Sequence, residues 1–107
     1  GSDVTLLIDS KSIPVIEGTI ENAKMGLIPA GAYRNKKYFG DNVEIDENIS
    51  THMEDILFDP QTSGGLLISV EKEKVDSLLN YYKKNLNTDF AIVGEVVQKE
   101  EKFIKVR

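Results

Sequence analysis

The sequence predicts an α+β domain in which helices pack on a mixed β-sheet, and three observations carry that prediction. The chain has 107 residues, enough for one core and too few for a core plus a separate substrate domain, so residues 1–107 read as a single domain. Hydrophobic residues make up 40% and charged residues 29%, the balance of an ordinary folded domain and far from the signature of disorder. Along the chain, strand-type and helix-type stretches follow one another in irregular order, which fits a mixed sheet better than a regular alternation does.

Residues 4–8, VTLLI, are β-branched and aliphatic and stop at Asp9-Ser10, a strand followed by a turn. Pro14 suits a first helical turn, and Ile13, Ile16, Ile20, Ala23 and Leu27 recur at helical spacing with Gly26 as a stop. An amphipathic helix over 14–25 is therefore expected. Residues 27–42 hold Pro29, glycines and several aromatics with no clean period, and read as a long loop of the kind that often carries function. Residues 43–47, VEIDE, alternate as a half-exposed strand does.

Ser50 or Thr51 can cap a short helix, Thr51 and Glu54 have the spacing of a capping box, and Ile56 and Leu57 follow. FDPQTSGG, residues 58–65, interrupts that helix. The apolar run LLISV, 66–70, predicts a strand buried on both faces in the middle of the sheet. Val75, Leu78, Leu79, Tyr82 and Leu86 lie on one helical face, which predicts a helix over 72–86. Residues 90–97 and 103–106 read as two strands around the charged turn Lys99–Lys102, with Gly94 marking a bulge or a close backbone approach.

A net charge of -5 and scattered basic residues argue against a nucleic-acid partner, since phosphate-backbone binding needs clustered Lys and Arg. The absence of cysteine excludes disulfides, thiolate zinc sites and a cysteine nucleophile, and fits a cytoplasmic setting. No apolar run approaches the roughly 18 residues that cross a bilayer, so no membrane partner is expected. Gly1-Ser2 reads either as native or as a remnant of expression.

His52, Glu54 and Asp55 fit a solvated helix face better than a metal site. Asp41, Glu44, Asp46 and Glu47 lack the spacing and central glycine of a calcium loop. Ser63 lies outside a nucleophile-elbow pattern, and Gly64-Gly65 lead into a strand-type run, whereas a phosphate loop leads into a helix. The surviving candidate is the turn itself. Asp59-Pro60 favours a reversal; Gln61, Thr62 and Ser63 supply donors and acceptors; Gly64 and Gly65 free the backbone to form an anion-binding concavity. The alternative is an elaborate turn whose polar groups satisfy its own backbone.

DPQTSGGLLI, residues 59–68, resembles the C-terminal domain of selenophosphate synthetase (selenide, water dikinase) in an order far more specific than a glycine pattern. Ile13-Pro14, Gly26-Leu27-Ile28-Pro29, Gly31-Ala32-Tyr33-Arg34-Asn35 and Ala91-Ile92-Val93-Gly94-Glu95-Val96 are similar to further segments of that family, so the resemblance covers essentially the whole chain. It implies the C-terminal domain fold of the aminoimidazole ribonucleotide synthetase-like superfamily. It also implies a chain that begins inside that domain and lacks the N-terminal ATP-binding catalytic domain and the first part of the C-terminal domain.

The family makes selenophosphate from selenide and ATP, releasing AMP and phosphate. The resemblance therefore implies a phosphotransferase using ATP and Mg²⁺ in the full-length enzyme, a partner in its own N-terminal domain, and a homodimer. The fragment alone is expected to be inactive, with no catalytic residue, no metal ligand and no cofactor held by itself. Its expected part is one wall of the active-site cleft, with Arg34, Asn35, Asp59, Gln61, Thr62, Ser63, Gly64 and Gly65 facing substrate or phosphate. A stand-alone binding or interaction module keeping this fold without kinase activity is the alternative.

Overall fold

The structure, a computed structural model, describes residues 2–107; Gly1, half of the Gly1-Ser2 start, lies outside them. Its centre is strand β1 (Val4–Ile8), which pairs antiparallel with β3 (Gly94–Gln98) on one side and parallel with β4 (Ile104–Val106) on the other. The short strand β2 (Val43–Ile45) joins the far edge of β4 in parallel, giving a mixed four-stranded sheet in the order β2-β4-β1-β3. With helices α1 (Thr19–Lys24), α2 (Ala30–Phe39), α3 (Thr51–Leu57) and α4 (Val75–Asn85), the architecture is α+β.

Because β3 and β4 flank β1, the link Lys99–Phe103 between them must arch over the start of β1, and its backbone polar groups need partners there. Thr5 supplies them. Its fully buried hydroxyl donates to the Lys102 carbonyl at 2.7 Å and accepts from the Glu100 N–H at 2.8 Å. Leu6 N–H donates to the Phe103 carbonyl, and Phe103 N–H donates to the Asn42 carbonyl, so the arch also holds the residue just before β2. Lys105 pairs with Glu100 and lies 3.8 Å from Glu44; the bond to Glu100 chiefly holds its ammonium above the ordinary value of 10.5.

At the other end of β1, Gly94 faces Ile8, and a Cβ there would drive into the Leu7 carbonyl. The close backbone approach expected of this glycine is what the sheet shows. β3 begins only at Gly94 because Ala91–Val93 carry no strand pairing, although Val93 still accepts from the Asp9 N–H. Asp9 closes β1 by accepting from Ser12 Oγ at 2.7 Å and from the Lys11 N–H at 3.1 Å. These bonds, Ser12 first, hold its carboxyl below the ordinary 3.8.

Besides the shorter strand at 90–97, which starts at Gly94, further expected elements are corrected. The helix over 14–25 shrinks to α1, because Gly18 takes a left-handed φ of 82° that a right-handed helix cannot include. Its end is as expected: Gly26, at φ 76°, donates to the Ala23 carbonyl while Leu27 N–H reaches back to Asn22, a Schellman closure. The loop over 27–42 is largely helix α2, started by Pro29 with Ala30 and Ala32 behind it, and only Ala32 is buried. A helix burying one alanine shows little period.

The third correction is LLISV. No strand forms at 66–70; Leu66 is 90%, Leu67 68% and Ile68 52% exposed, and no backbone hydrogen bond reaches them among the described residues. An apolar run has strand propensity, but a strand also needs a neighbouring backbone, and 66–70 lies against neither open edge of the sheet, β2 or β3, while β3 and β4 flank β1. The radius of gyration, 14.9 Å, exceeds the about 13 Å of a compact chain of this length, as an unpacked segment requires. The strand over 43–47 ends at Ile45.

Helices α3 and α4 fall where their periods predict, α4 behind a 3-10 turn at Lys72–Lys74. Val75, Leu78, Leu79 and Tyr82 are its half-buried face, and Tyr82 meets Phe90 edge-on at 5.5 Å. The capping box is absent: Ser50 is the cap but its side chain bonds no helix N–H, its hydroxyl meeting the His52 ring Nε2 at 3.0 Å instead.

Thr5→Val keeps the shape of the side chain and removes both bonds to the arch. It is expected to destabilise the 107-residue chain by about 1–3 kcal/mol in chemical denaturation, the cost of leaving buried polar groups unpaired. Thr5→Ser, which keeps the hydroxyl, is expected to lose less.

Candidate functional site

The candidate turn leaves the C-terminal end of α3 and is built in two parts. Its first residues are tied down. Asp59 N–H donates to the Ile56 carbonyl at 3.1 Å and Gln61 N–H to the Asp59 carbonyl at 3.0 Å, which makes a tight reversal about Pro60. From helix α2, Asn35 Nδ2 donates to the Phe58 carbonyl at 2.9 Å. Lys36, the next residue, pairs with Glu54 of α3 at 2.9 Å, so α2 and α3 are held side by side.

The second part is free. Gln61, Thr62, Ser63, Gly64 and Gly65 are all exposed, and the backbone hydrogen bonds of this stretch stop at Gln61 among the described residues. The Gln61 side chain lies against Gly64, so the turn curls on itself by contact without consuming the Thr62 and Ser63 hydroxyls or the Gly64 and Gly65 N–H groups. A turn that merely satisfied its own backbone would show those groups paired. Instead these donors are exposed and make no hydrogen bond within the chain among the described residues.

Of the residues singled out from sequence, the structure brings Asn35 and Asp59 to the base of the turn, both half-buried. Arg34 is exposed on α2 next to Asn35, with no acidic partner among the described residues. Gly31 and Pro60 were not singled out as site residues, yet they meet: a Cβ on Gly31 would lie 2.6 Å from Pro60 Cγ. The available signal was spacing, since Gly31 and Asn35 are four apart and share a helix face.

Below the turn, an open groove of about 620 Å³ is lined mainly by Asn35, Tyr38, Phe39, Phe58, Asp59 and Phe103. A second hollow, at Leu86–Asp89, is lined by four consecutive residues and touches none of the candidate residues.

No group of three or more His, Asp and Glu side chains placed to hold a metal occurs among the described residues. The carboxylates considered for one are engaged locally. Asp46 accepts from the Asn48 N–H and side chain, the N–H bond chiefly holding its carboxyl below the ordinary value, and Glu44 faces Lys105. No helix among the described residues is long and apolar enough to cross a membrane.

Fold and site together define a class: an α+β domain that carries an exposed, donor-rich turn at the end of α3. No family model matches the chain. Known proteins do. It is 50% identical over 105 residues to the selenide, water dikinase of Clostridioides difficile, covering 98% of this chain and 30% of that protein. It is 52% identical over 110 residues to that of Caldanaerobacter subterraneus subsp. tengcongensis and 44% identical over 110 residues to that of Treponema denticola, with 99% of this chain covered in both.

The chain belongs to the selenide, water dikinase family and matches the C-terminal region of its members. It spans about 30% of the length of the curated relatives it matches.

Because Leu67 is exposed, Leu67→Ser is expected to change the stability of the 107-residue chain by less than about 0.5 kcal/mol in chemical denaturation. Truncating a buried leucine costs about 2–5 kcal/mol, and a loss of that size would mean the segment is packed.

Proposed function

We propose that this chain is the C-terminal part of a selenide, water dikinase, the phosphotransferase that makes selenophosphate from selenide and ATP and releases AMP and phosphate. In that enzyme, a cytoplasmic homodimer, it forms one wall of the active-site cleft opposite its own N-terminal ATP-binding domain. The observation that carries the reading is the unspent donor row, Gln61 to Gly65, in the stretch that most resembles the family.

Phosphoryl transfer is mostly positioning and charge neutralisation, so donors on the cleft wall contribute by meeting phosphate oxygens where charge develops. The Thr62 and Ser63 hydroxyls and the Gly64 and Gly65 N–H groups fit phosphate oxygens in kind, and Arg34, exposed on α2, offers a positive charge to the same cleft. Asp59 and Asn35 shape the base of the turn. Mg²⁺, when bound in the complete enzyme, would supply positive charge that neutralises the phosphates. It takes several oxygen ligands, whereas the turn offers one carboxylate, Asp59, so no metal ligand is assigned to this chain. Alone, the 107 residues hold neither cofactor and do not turn over ATP.

In the complete enzyme, Thr62→Ala and Arg34→Ala are each expected to lower the rate of selenophosphate formation by about a hundredfold, the usual order for removing a group that stabilises transition-state charge. Thermal unfolding is expected to stay unchanged, since both side chains are exposed. Wild-type turnover in both variants would remove this reading.

A further inference from the structure

Gly31 and Asn35 lie one helical turn apart on α2, and both touch the first residues of the candidate turn. Asn35 holds the Phe58 carbonyl at 2.9 Å. Gly31 lets the α2 backbone lie against the Pro60 ring, because a Cβ there would sit 2.6 Å from Pro60 Cγ and 3.0 Å from Pro60 Cβ, closer than real side chains pack. Gly31 has an ordinary helical backbone, so close approach, and not conformation, is its reason for being glycine. Inside a helix glycine is less favourable than alanine, and the contact offsets that cost.

We propose that Gly31 and Asn35 are positioning residues that set the placement of the donor row, acting through Phe58 and Pro60; the catalytic weight of this rests on the phosphate-facing reading of the turn. The two contacts bracket Asp59. Beyond Pro60, Gln61 folds onto Gly64, so a displacement at Pro60 is passed by direct contact to Gly64 and along the chain to Gly65. The Lys36–Glu54 pair keeps α2 in register with the helix from which the turn departs. A shift of about 1 Å in a positioning group can cost about a hundredfold in rate, and a methyl group at Gly31 forces a shift of that order.

The test uses four variants: Gly31→Ala, Asn35→Asp, the double variant Gly31→Ala/Pro60→Ala, and the control Gly40→Ala, whose added Cβ meets nothing within 4 Å. In ¹⁵N spectra of the 107-residue chain, Gly31→Ala and Asn35→Asp are expected to move the Gly64 and Gly65 amide signals. Removing the Pro60 ring is expected to return them toward wild type, and Gly40→Ala is expected to leave them in place.

In the complete enzyme, Gly31→Ala is expected to lower kcat by about a hundredfold, and Pro60→Ala is expected to restore much of that loss, which general destabilisation would not allow. Unmoved glycine signals in Gly31→Ala, or a double variant no better than the single one, would overturn the proposal. Signals that move and recover while Gly31→Ala and Thr62→Ala both keep wild-type turnover would instead sink the phosphate-facing reading and leave the coupling of α2 to the turn standing.

Discussion

One buried hydroxyl organises this fold. β1 can pair with β3 and β4 at once only if the link between them crosses its end, and a crossing backbone must find partners for its N–H and carbonyl groups. Thr5 answers both requirements with a single side chain, donating to Lys102 and accepting from Glu100. The consequence runs further than the sheet. The arch holds the Asn42 carbonyl through Phe103, Asn42 ends the segment that follows α2, and α2 holds the candidate turn through Asn35. Site placement is thus an extension of sheet closure.

The turn combines a held base with an exposed, donor-rich tip. Its first residues are immobilised by backbone bonds and by α2, and its later residues keep their donors unspent. Charge bears on the proposed role: the chain is net negative, -5, so on that reading attraction for a phosphate has to come from local groups and not from an overall field.

Much of this was legible in the sequence, for physical reasons that differ by element. α4 announces itself because its half-buried face repeats at helical spacing, and β1 because its aliphatic run ends at a capping aspartate. Gly26 and Gly94 read correctly since each has a local cause, a left-handed closure and a close backbone approach. α2 was hidden because Gly31 looks like loop punctuation, whereas its role is contact with Pro60, which no local pattern reveals. LLISV misled for the opposite reason: its local pattern is strand-like, but pairing depends on a neighbouring backbone. Leu66 and Leu67 stay exposed. Of the site, DPQTSGG stood out as a turn rich in donors; which donors remain unspent became visible only in three dimensions.

The most direct test of the account is a crystal structure of the complete enzyme with a non-hydrolysable ATP analogue and Mg²⁺. The account predicts a phosphate oxygen within about 2.7–3.2 Å, or one bridging water, of the Thr62 hydroxyl or the Gly64 and Gly65 nitrogens. A nucleotide bound in the cleft with this turn facing bulk solvent, farther from every phosphate than one water can bridge, would contradict it.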